Sequence, residues 1–161
     1  MSNDYTKITK QLQTYKHVQG LMKYINYESL LKEHRKQEKG KATGIDGVDK
    51  ITYEENLRDN IEEIIEEMRS FKYRPTPVRR AYIPKAGSDK LRPLGIPAYR
   101  DKIVQGSFAE VLNEIYENIF LECSYGFRPR KNCHEAIIAL NKIIKERRVN
   151  YIVDADIKKL L

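Results

Sequence analysis

Between Thr6 and Lys39 apolar side chains recur at three- and four-residue steps, at Ile8, Leu12, Tyr15, Val18, Met22 and Ile25, with a fresh start at Tyr27, Leu30 and Leu31. That spacing gathers side chains on one helix face and predicts one or two amphipathic helices. Lys39 to Asp49 (KGKATGIDGVD) has three glycines and no period, and reads as an exposed loop. Thr52 and Glu55 have the spacing of a capping box. Leu57, Ile61, Ile64, Ile65 and Met68 then fill one face of a helix whose other face is acidic. Tyr73 to Pro97 breaks the pattern with five prolines, which exclude helix interiors and central strands. Two short runs, Val78 to Pro84 and Leu91 to Leu94, flank AGSDK and predict a twisted, edge-like hairpin. Helix resumes over Asp101 to Leu121, with Ile103, Val104, Phe108, Val111, Leu112, Ile115 and Ile119 in phase. After a loop from Cys123 to Lys131, Asn132 and Glu135 cap a helix carrying Ala136, Ile137, Leu140, Ile143 and Ile144. Asn150 to Asp156 reads as a short buried strand, Tyr151, Ile152 and Val153 followed by Asp154 and Asp156. The expected class is α+β, predominantly helical, without internal repeats.

Length and composition narrow this picture. A chain of 161 residues holds one domain, or one domain and a short appendage. With 40% apolar and 33% charged residues it is expected to fold rather than stay disordered. No apolar run reaches membrane-spanning length, the longest being Ala136 to Leu140, so no membrane partner is expected. MSNDYTK lacks a signal-peptide core. Cys123 and Cys133 match neither a disulfide framework nor a zinc spacing, so a reducing, cytoplasmic setting is the default.

Charge changes the picture more. The net +7 resides in one window: Phe71 to Lys102 holds nine bases against Asp89 and Asp101, and the rest of the chain sums to zero. Glu54 to Arg69, by contrast, holds seven acids against two arginines. A neutral body with one basic segment suggests a polyanion-facing surface, most often nucleic acid, the alternative being a solvated basic face.

Two features could carry chemistry. Carboxylates at the end of a buried strand are costly unless paired or metal-bound, and magnesium chemistry on phosphates needs such hard oxygen ligands from several segments. Asp154 and Asp156 fit that description, as would any capped strand end. Lys85 and Arg92 flank the hairpin turn seven positions apart and could reach one anion together, a point charge beside a planar fork. Tyr82 and Tyr99 either pack under the hairpin or stack on unpaired bases.

IPKAGSDKLRPLGIP (Ile83 to Pro97), SYGFRPRKNCHEAI (Ser124 to Ile137) and YIVDADIK (Tyr151 to Lys158) closely resemble successive blocks of group II intron-encoded reverse transcriptases. GKATGIDGV (Gly40 to Val48) and YRPTPVRR (Tyr73 to Arg80) resemble the block before them, so the likeness runs from about Glu28 to Lys158. Retron and CRISPR-linked relatives fit the loop and LGIP strings less well. The resemblance implies the fingers of a right-hand polymerase, with the hairpin and the first palm strand. It implies a helical extension over 1–39, fingers over 40–149 and a truncated palm strand over 150–161. Asp156 takes the place of the first catalytic, metal-binding carboxylate, with Asp154 a neighbour. Lys85 and Arg92 match the fingers residues on the phosphates of an incoming dNTP. Lys41, Arg79, Arg80, Arg100, Arg128, Arg130 and Lys131 fall in blocks that line the template path or grip RNA. The implied partners are group II intron RNA, an RNA template with DNA primer, and dNTP. The implied cofactor is Mg2+, and the implied setting a bacterial cytoplasm.

The departures shape what is expected of this chain. Beyond the first Asp and its following Ile the family usually continues Lys-Gly-Phe-Phe or a close variant, whereas here the residues are Lys158, Lys159, Leu160 and Leu161. The Tyr-Ala-Asp-Asp turn, the remaining palm and the thumb are absent from these 161 residues. The chain is therefore expected not to polymerise DNA by itself and not to hold Mg2+ stably. The alternative function is a stand-alone RNA-binding module that assists splicing, and a weaker one is a basic domain for an acidic protein. Apolar helix faces parted from a palm would favour self-association.

Overall fold

The computed structural model describes residues 8, 10, 11, 17–85, 87 and 89–157. Leu12 and Tyr15 of the expected first helix, Ala86 and Ser88 of the hairpin turn, and Lys158 to Leu161 lie outside the described residues. The chain forms two compact units, Met1–Tyr116 and Glu117–Leu161.

In the first unit Ile8, Lys10 and Gln11 are helical, and a short 3-10 helix, Leu21–Tyr24, precedes α1, Tyr27–Lys36. The break falls at Asn26, which builds a reciprocal cap. Its Oδ1 accepts from the Ser29 amide (3.1 Å), while its own amide donates to Ser29 Oγ (2.9 Å). Serine replaces the usual Glu at this box, which is why the cap is not obvious in sequence. Next come α2, Lys50–Glu54, and α3, Leu57–Arg69. The expected capping box at Thr52 and Glu55 is corrected: Asp49 is the cap, its carboxylate accepting from the Thr52 amide at 2.9 Å. Aspartate two residues before Ile51 is a stronger acceptor for the open helix amides than a threonine already inside the turn.

The hairpin pairs β1, Arg79–Pro84, with β2, Leu91–Ile96, antiparallel, in the register Arg79↔Ile96, Ile83↔Arg92 and Pro84↔Leu91. It is the only sheet among the described residues. Both strands are edges, so Pro84 and Pro93 remove no amide that an inner strand would need. Helix α4, Tyr99–Tyr116, closes the unit, five residues short of the predicted end.

The core is helical. Leu30 of α1, Ile61 and Ile64 of α3, and Ile103, Val104, Val111 and Ile115 of α4 are buried together with Tyr24, Ile25 and Tyr53. Where α1 crosses α4 the interface is small and polar: Ser107 Oγ donates to Ser29 Oγ at 2.9 Å. Gly106 lies so close to Glu33 that a Cβ there would stand 2.4 Å from Oε2. Lys36 then pairs with both Glu33 and Glu110, at 2.5 and 2.8 Å.

Among the described residues the second unit has a loop and one helix, α5, Cys133–Glu146. Asn132 and Glu135 form the expected capping box, amide to Oδ1 at 3.0 Å and amide to Oε2 at 3.3 Å. The apolar face of α5 is exposed, Ile137, Leu140, Ile143 and Ile144 all facing solvent. The buried strand expected over Asn150 to Asp156 is not formed, and Tyr151, Ile152 and Val153 are 90%, 74% and 88% exposed. A strand exists only by pairing, and the two strands among the described residues pair with each other.

Among the described residues no helix is long and apolar enough to cross a membrane.

Candidate nucleic-acid interface

Strand register decides which hairpin bases face together. Opposed residues share a face and alternate residues return to it. Ile83 opposes Arg92, and the Lys85 amide continues the ladder by donating to the Lys90 carbonyl at 2.9 Å. Lys85, two residues on from Ile83, therefore stands diagonal to Arg92 on one face, a separation that long side chains span. Arg80 and Tyr82 lie on the opposite face, where Tyr82 is exposed. Little core lies beneath either face, since only Ile96 of the two strands is buried.

Arg79 has a different setting. Its Nε and Nη2 both donate to the Thr43 carbonyl, at 2.9 and 2.8 Å, and Lys102 Nζ donates to the Ala42 carbonyl at 2.6 Å. Gly44 presses on the start of α4, where a Cβ would lie 2.5 Å from Ala98 Cα. The loop Gly40 to Val48 is thus fastened at three consecutive residues, leaving its glycine-rich backbone beside the ribbon. Lys41, next to the fastened residues, is exposed and paired with Glu38 at 2.7 Å. That contact holds its ammonium in the charged form: the hydrogen bond to Glu38 raises the Lys41 pKa and lowers the Glu38 pKa.

Arg100, also singled out in the sequence, pairs with Glu67 and lies over the Tyr73 ring, 5.6 Å from its centroid. Beside it Asp101, fully buried, accepts from Tyr73 Oη at 2.5 Å and from the Thr76 amide at 2.8 Å. Asp101 thereby pins the proline-rich approach to the hairpin onto the first turn of α4. Burial, and then the bond to Asp101, push the Tyr73 pKa upward. Tyr99 packs in the helical core, its Oη 3.0 Å from His34 Nδ1, with burial first pushing its pKa up to about 12. Stacking on a base is thereby excluded for Tyr99, and packing under the hairpin is corrected for Tyr82.

In the second unit Arg128 is buried and its donors are committed. Nε and Nη2 bond Glu117, Nη1 bonds the Leu121 and Ser124 carbonyls, and the guanidinium lies over Phe120. The hydrogen bond to Glu117 raises the Arg128 pKa and lowers that of Glu117. Arg128 therefore shapes the loop that presents its neighbours. Arg130 follows in a left-handed conformation at φ 60°. Lys131 Nζ reaches the Glu122 carboxylate at 3.1 Å and lies over Tyr125. Asp154 and Asp156 are exposed and lie outside any helix or strand. Among the described residues no three His, Cys, Asp or Glu side chains come together as a group that could hold a metal ion.

LtrA, a group II intron-encoded protein of Lactococcus lactis subsp. cremoris, is 36% identical over 135 residues, which is 84% of this chain and 21% of LtrA. The protein YkfC of Escherichia coli is 37% identical over 147 residues, 87% of this chain and 38% of that protein. This chain is related to a portion of the group II intron-encoded proteins. A further relative, a 91 kDa protein in the cob intron of Schizosaccharomyces pombe, is 46% identical over 79 residues, 49% of this chain and 10% of that protein. No family profile matches the chain. As kin of the group II intron-encoded proteins the chain spans only about a fifth to two-fifths of the first two relatives, by the shares just given.

Four residues that matter to this surface carry no sequence signal of their own. Gly44 and Lys102 fasten the loop, Asp101 anchors the hairpin approach, and Phe71 sits at the end of α3. An Asp in a helical run reads as solvent-facing by default, and only the tertiary contact with Thr76 reveals otherwise.

Proposed function

We propose that this chain is the fingers portion, with the start of the palm, of a right-hand reverse transcriptase and maturase encoded by a group II intron. Its own activity is RNA binding, and within a complete enzyme it holds the RNA template beside the DNA primer and the dNTP. The observation that carries this reading is the placement of Lys85 and Arg92 diagonally on one face of an exposed ribbon. Beside the ribbon lies a loop whose backbone is fastened by Arg79 and Lys102. A ribbon with so little core suits gripping a polyanion better than building a fold. The kinship with group II intron-encoded proteins supports intron RNA as the partner. Two exposed free cysteines, Cys123 and Cys133, suit a reducing bacterial cytoplasm. Arg80, Arg130 and Lys131 are assigned to the RNA backbone. Lys41 joins them at the cost of its pair with Glu38.

On this reading Asp156 supplies one carboxylate of a polymerase site, and the remaining ones come from residues outside this chain. Phosphoryl transfer on two metals needs several carboxylate-bearing segments, so the chain alone is assigned no chemical step.

The test joins the chain to a palm and thumb and follows primer extension on an RNA template. Lys85→Ala with Arg92→Ala is expected to raise the dNTP KM at least tenfold, the loss of two charge-assisted phosphate contacts. A rise of no more than about twofold removes the clamp assignment. Asp156→Asn is expected to abolish extension while leaving RNA binding intact.

A further inference from the structure

Helix α3 ends in a complete Schellman motif: the Lys72 amide donates to the Glu67 carbonyl at 2.8 Å, and the Phe71 amide to the Met68 carbonyl at 3.2 Å. The residue at the bend of this motif is usually glycine, because the backbone there is left-handed. Here it is Phe71, at φ 57°, and the residue is 87% exposed. A bulky residue in the left-handed region is strained, and an exposed phenyl ring forgoes burial. Glycine would end the helix better on both counts, so Phe71 is not explained by folding.

Phe71 stands at the mouth of a groove of about 600 Å³. Buried or half-buried Met68, Ile65 and Phe108 and exposed Lys23, Arg69 and Arg74 line it, and among the described residues no acidic side chain does. Arg74 is held there by bonds from Nη1 to the Phe71 and Tyr73 carbonyls, at 3.1 and 2.8 Å.

We propose that this groove takes one unpaired RNA base, stacked on Phe71, with the flanking phosphates on Lys23, Arg69 and Arg74. The inference rests on the RNA-binding reading above and adds to it a site away from the hairpin. A nucleobase is favoured over a peptide by two observations together. Every charged residue that lines the groove is cationic, and Phe71 is exposed as a platform rather than buried in the apolar lining. Base on aromatic with guanidinium groups alongside is how proteins hold unpaired RNA.

The test uses the whole chain, a single-stranded oligouridylate and a fully paired RNA duplex. Phe71→Gly is expected to raise the melting temperature or leave it unchanged, and to weaken oligouridylate binding about tenfold, the loss of one stacked base. Duplex binding should stay within twofold. The chain has no tryptophan, so Phe71→Trp places a single indole at the platform, and its fluorescence should be quenched by oligouridylate and not by duplex. Oligouridylate binding by Phe71→Gly within twofold of the parent overturns the proposal. So does an indole signal that follows protein concentration without RNA, which would assign the groove to a second copy. An indole that responds to an acidic peptide and not to oligouridylate likewise overturns it, in favour of a protein partner. If Lys85→Ala with Arg92→Ala and Arg80→Ala loses RNA while Phe71→Gly does not, only the groove assignment fails. If the parent chain binds no RNA, both readings fail.

Discussion

Arg79 and Thr43 are joined by two hydrogen bonds from one guanidinium to one main-chain carbonyl, at 2.9 and 2.8 Å, across 36 residues of sequence. This is the contact that turns a glycine-rich loop into part of the surface. Nε and Nη2, the edge of the guanidinium that would fork a phosphate, are both committed to this carbonyl, so on the RNA-binding reading Arg79 is assigned to placing the loop rather than to touching the backbone.

Loop fastening is directly measurable without RNA. Hydrogen bonds from a charged donor to an exposed carbonyl are worth about 1 kcal/mol here, so Arg79→Ala should speed amide exchange over residues 40–48 roughly fivefold. Cleavage by trypsin at Lys39 and Lys41 should rise in parallel. Exchange equal to that of the parent chain would show the contact to be unimportant in solution.

Asp101 is the second fastening, and a costlier one to lose. Its carboxylate is buried and accepts from Tyr73 Oη and the Thr76 amide. Asp101→Ala leaves both donors without a partner, and about 3 kcal/mol of stability should go with it. Tyr73→Phe removes one bond and leaves the other, and should cost about 1 kcal/mol. Denaturant midpoints at constant m-value check both figures. A loss under 1 kcal/mol for Asp101→Ala would mean that water reaches the site.

What the sequence made legible follows from the range of each interaction. Local signals survived: the face of α3 with Ile61, Ile64 and Met68, the Asn132–Glu135 cap of α5, and a hairpin within two residues of its predicted ends. The diagonal of Lys85 and Arg92 was legible too, because a hairpin register is set by its own turn. Asn150 to Asp156 shows the opposite case. Its apolar alternation is real, but a strand needs a partner, and none of the described residues supplies one. The roles of Arg79 and Arg128 were hidden for a related reason: a base reads as a phosphate contact until its acceptors are seen, here the Thr43 carbonyl for Arg79 and the Glu117 carboxylate with the Leu121 and Ser124 carbonyls for Arg128.

His34 gives the fold a pH dependence of known sign. The ring is buried, with Nδ1 facing Tyr99 Oη and Nε2 facing the Glu54 carboxylate at 3.4 Å. A carboxylate only accepts, so the neutral ring carries its proton on Nε2 and Tyr99 donates to Nδ1. Burial is the largest influence and lowers the pKa below 6.5, helped by Lys50 and Arg35 and opposed by Glu54. The unfolded chain then binds the proton more readily than the folded one. Stability is therefore full above pH 6.5 and falls as pH drops from there through the folded pKa. His34→Gln should flatten that limb in urea titrations at pH 5 to 7.5, about 1 kcal/mol being at stake for each pKa unit. An unchanged slope would place the titration elsewhere.

Gly44 separates placing from touching. An alanine there would set its Cβ 2.5 Å from Ala98 Cα and 2.8 Å from the Pro97 carbonyl, backbone atoms that cannot give way. The loop must lift, at a cost of about 1–3 kcal/mol, and Thr43 moves off Arg79 with no charge removed from the protein. If the loop matters for RNA, Gly44→Ala and Arg79→Ala should weaken binding by similar factors, roughly five- to tenfold, through a similar loss of docking. The salt dependence then discriminates. Each phosphate contact contributes about 0.7–0.9 to the slope of log affinity against log salt, so Arg80→Ala should lower the slope by that amount. Gly44→Ala should leave it unchanged, and so should Arg79→Ala, because its charge serves a carbonyl. A slope reduced by Arg79→Ala and not by Gly44→Ala would return Arg79 to the phosphate backbone and leave Lys102 to hold the loop.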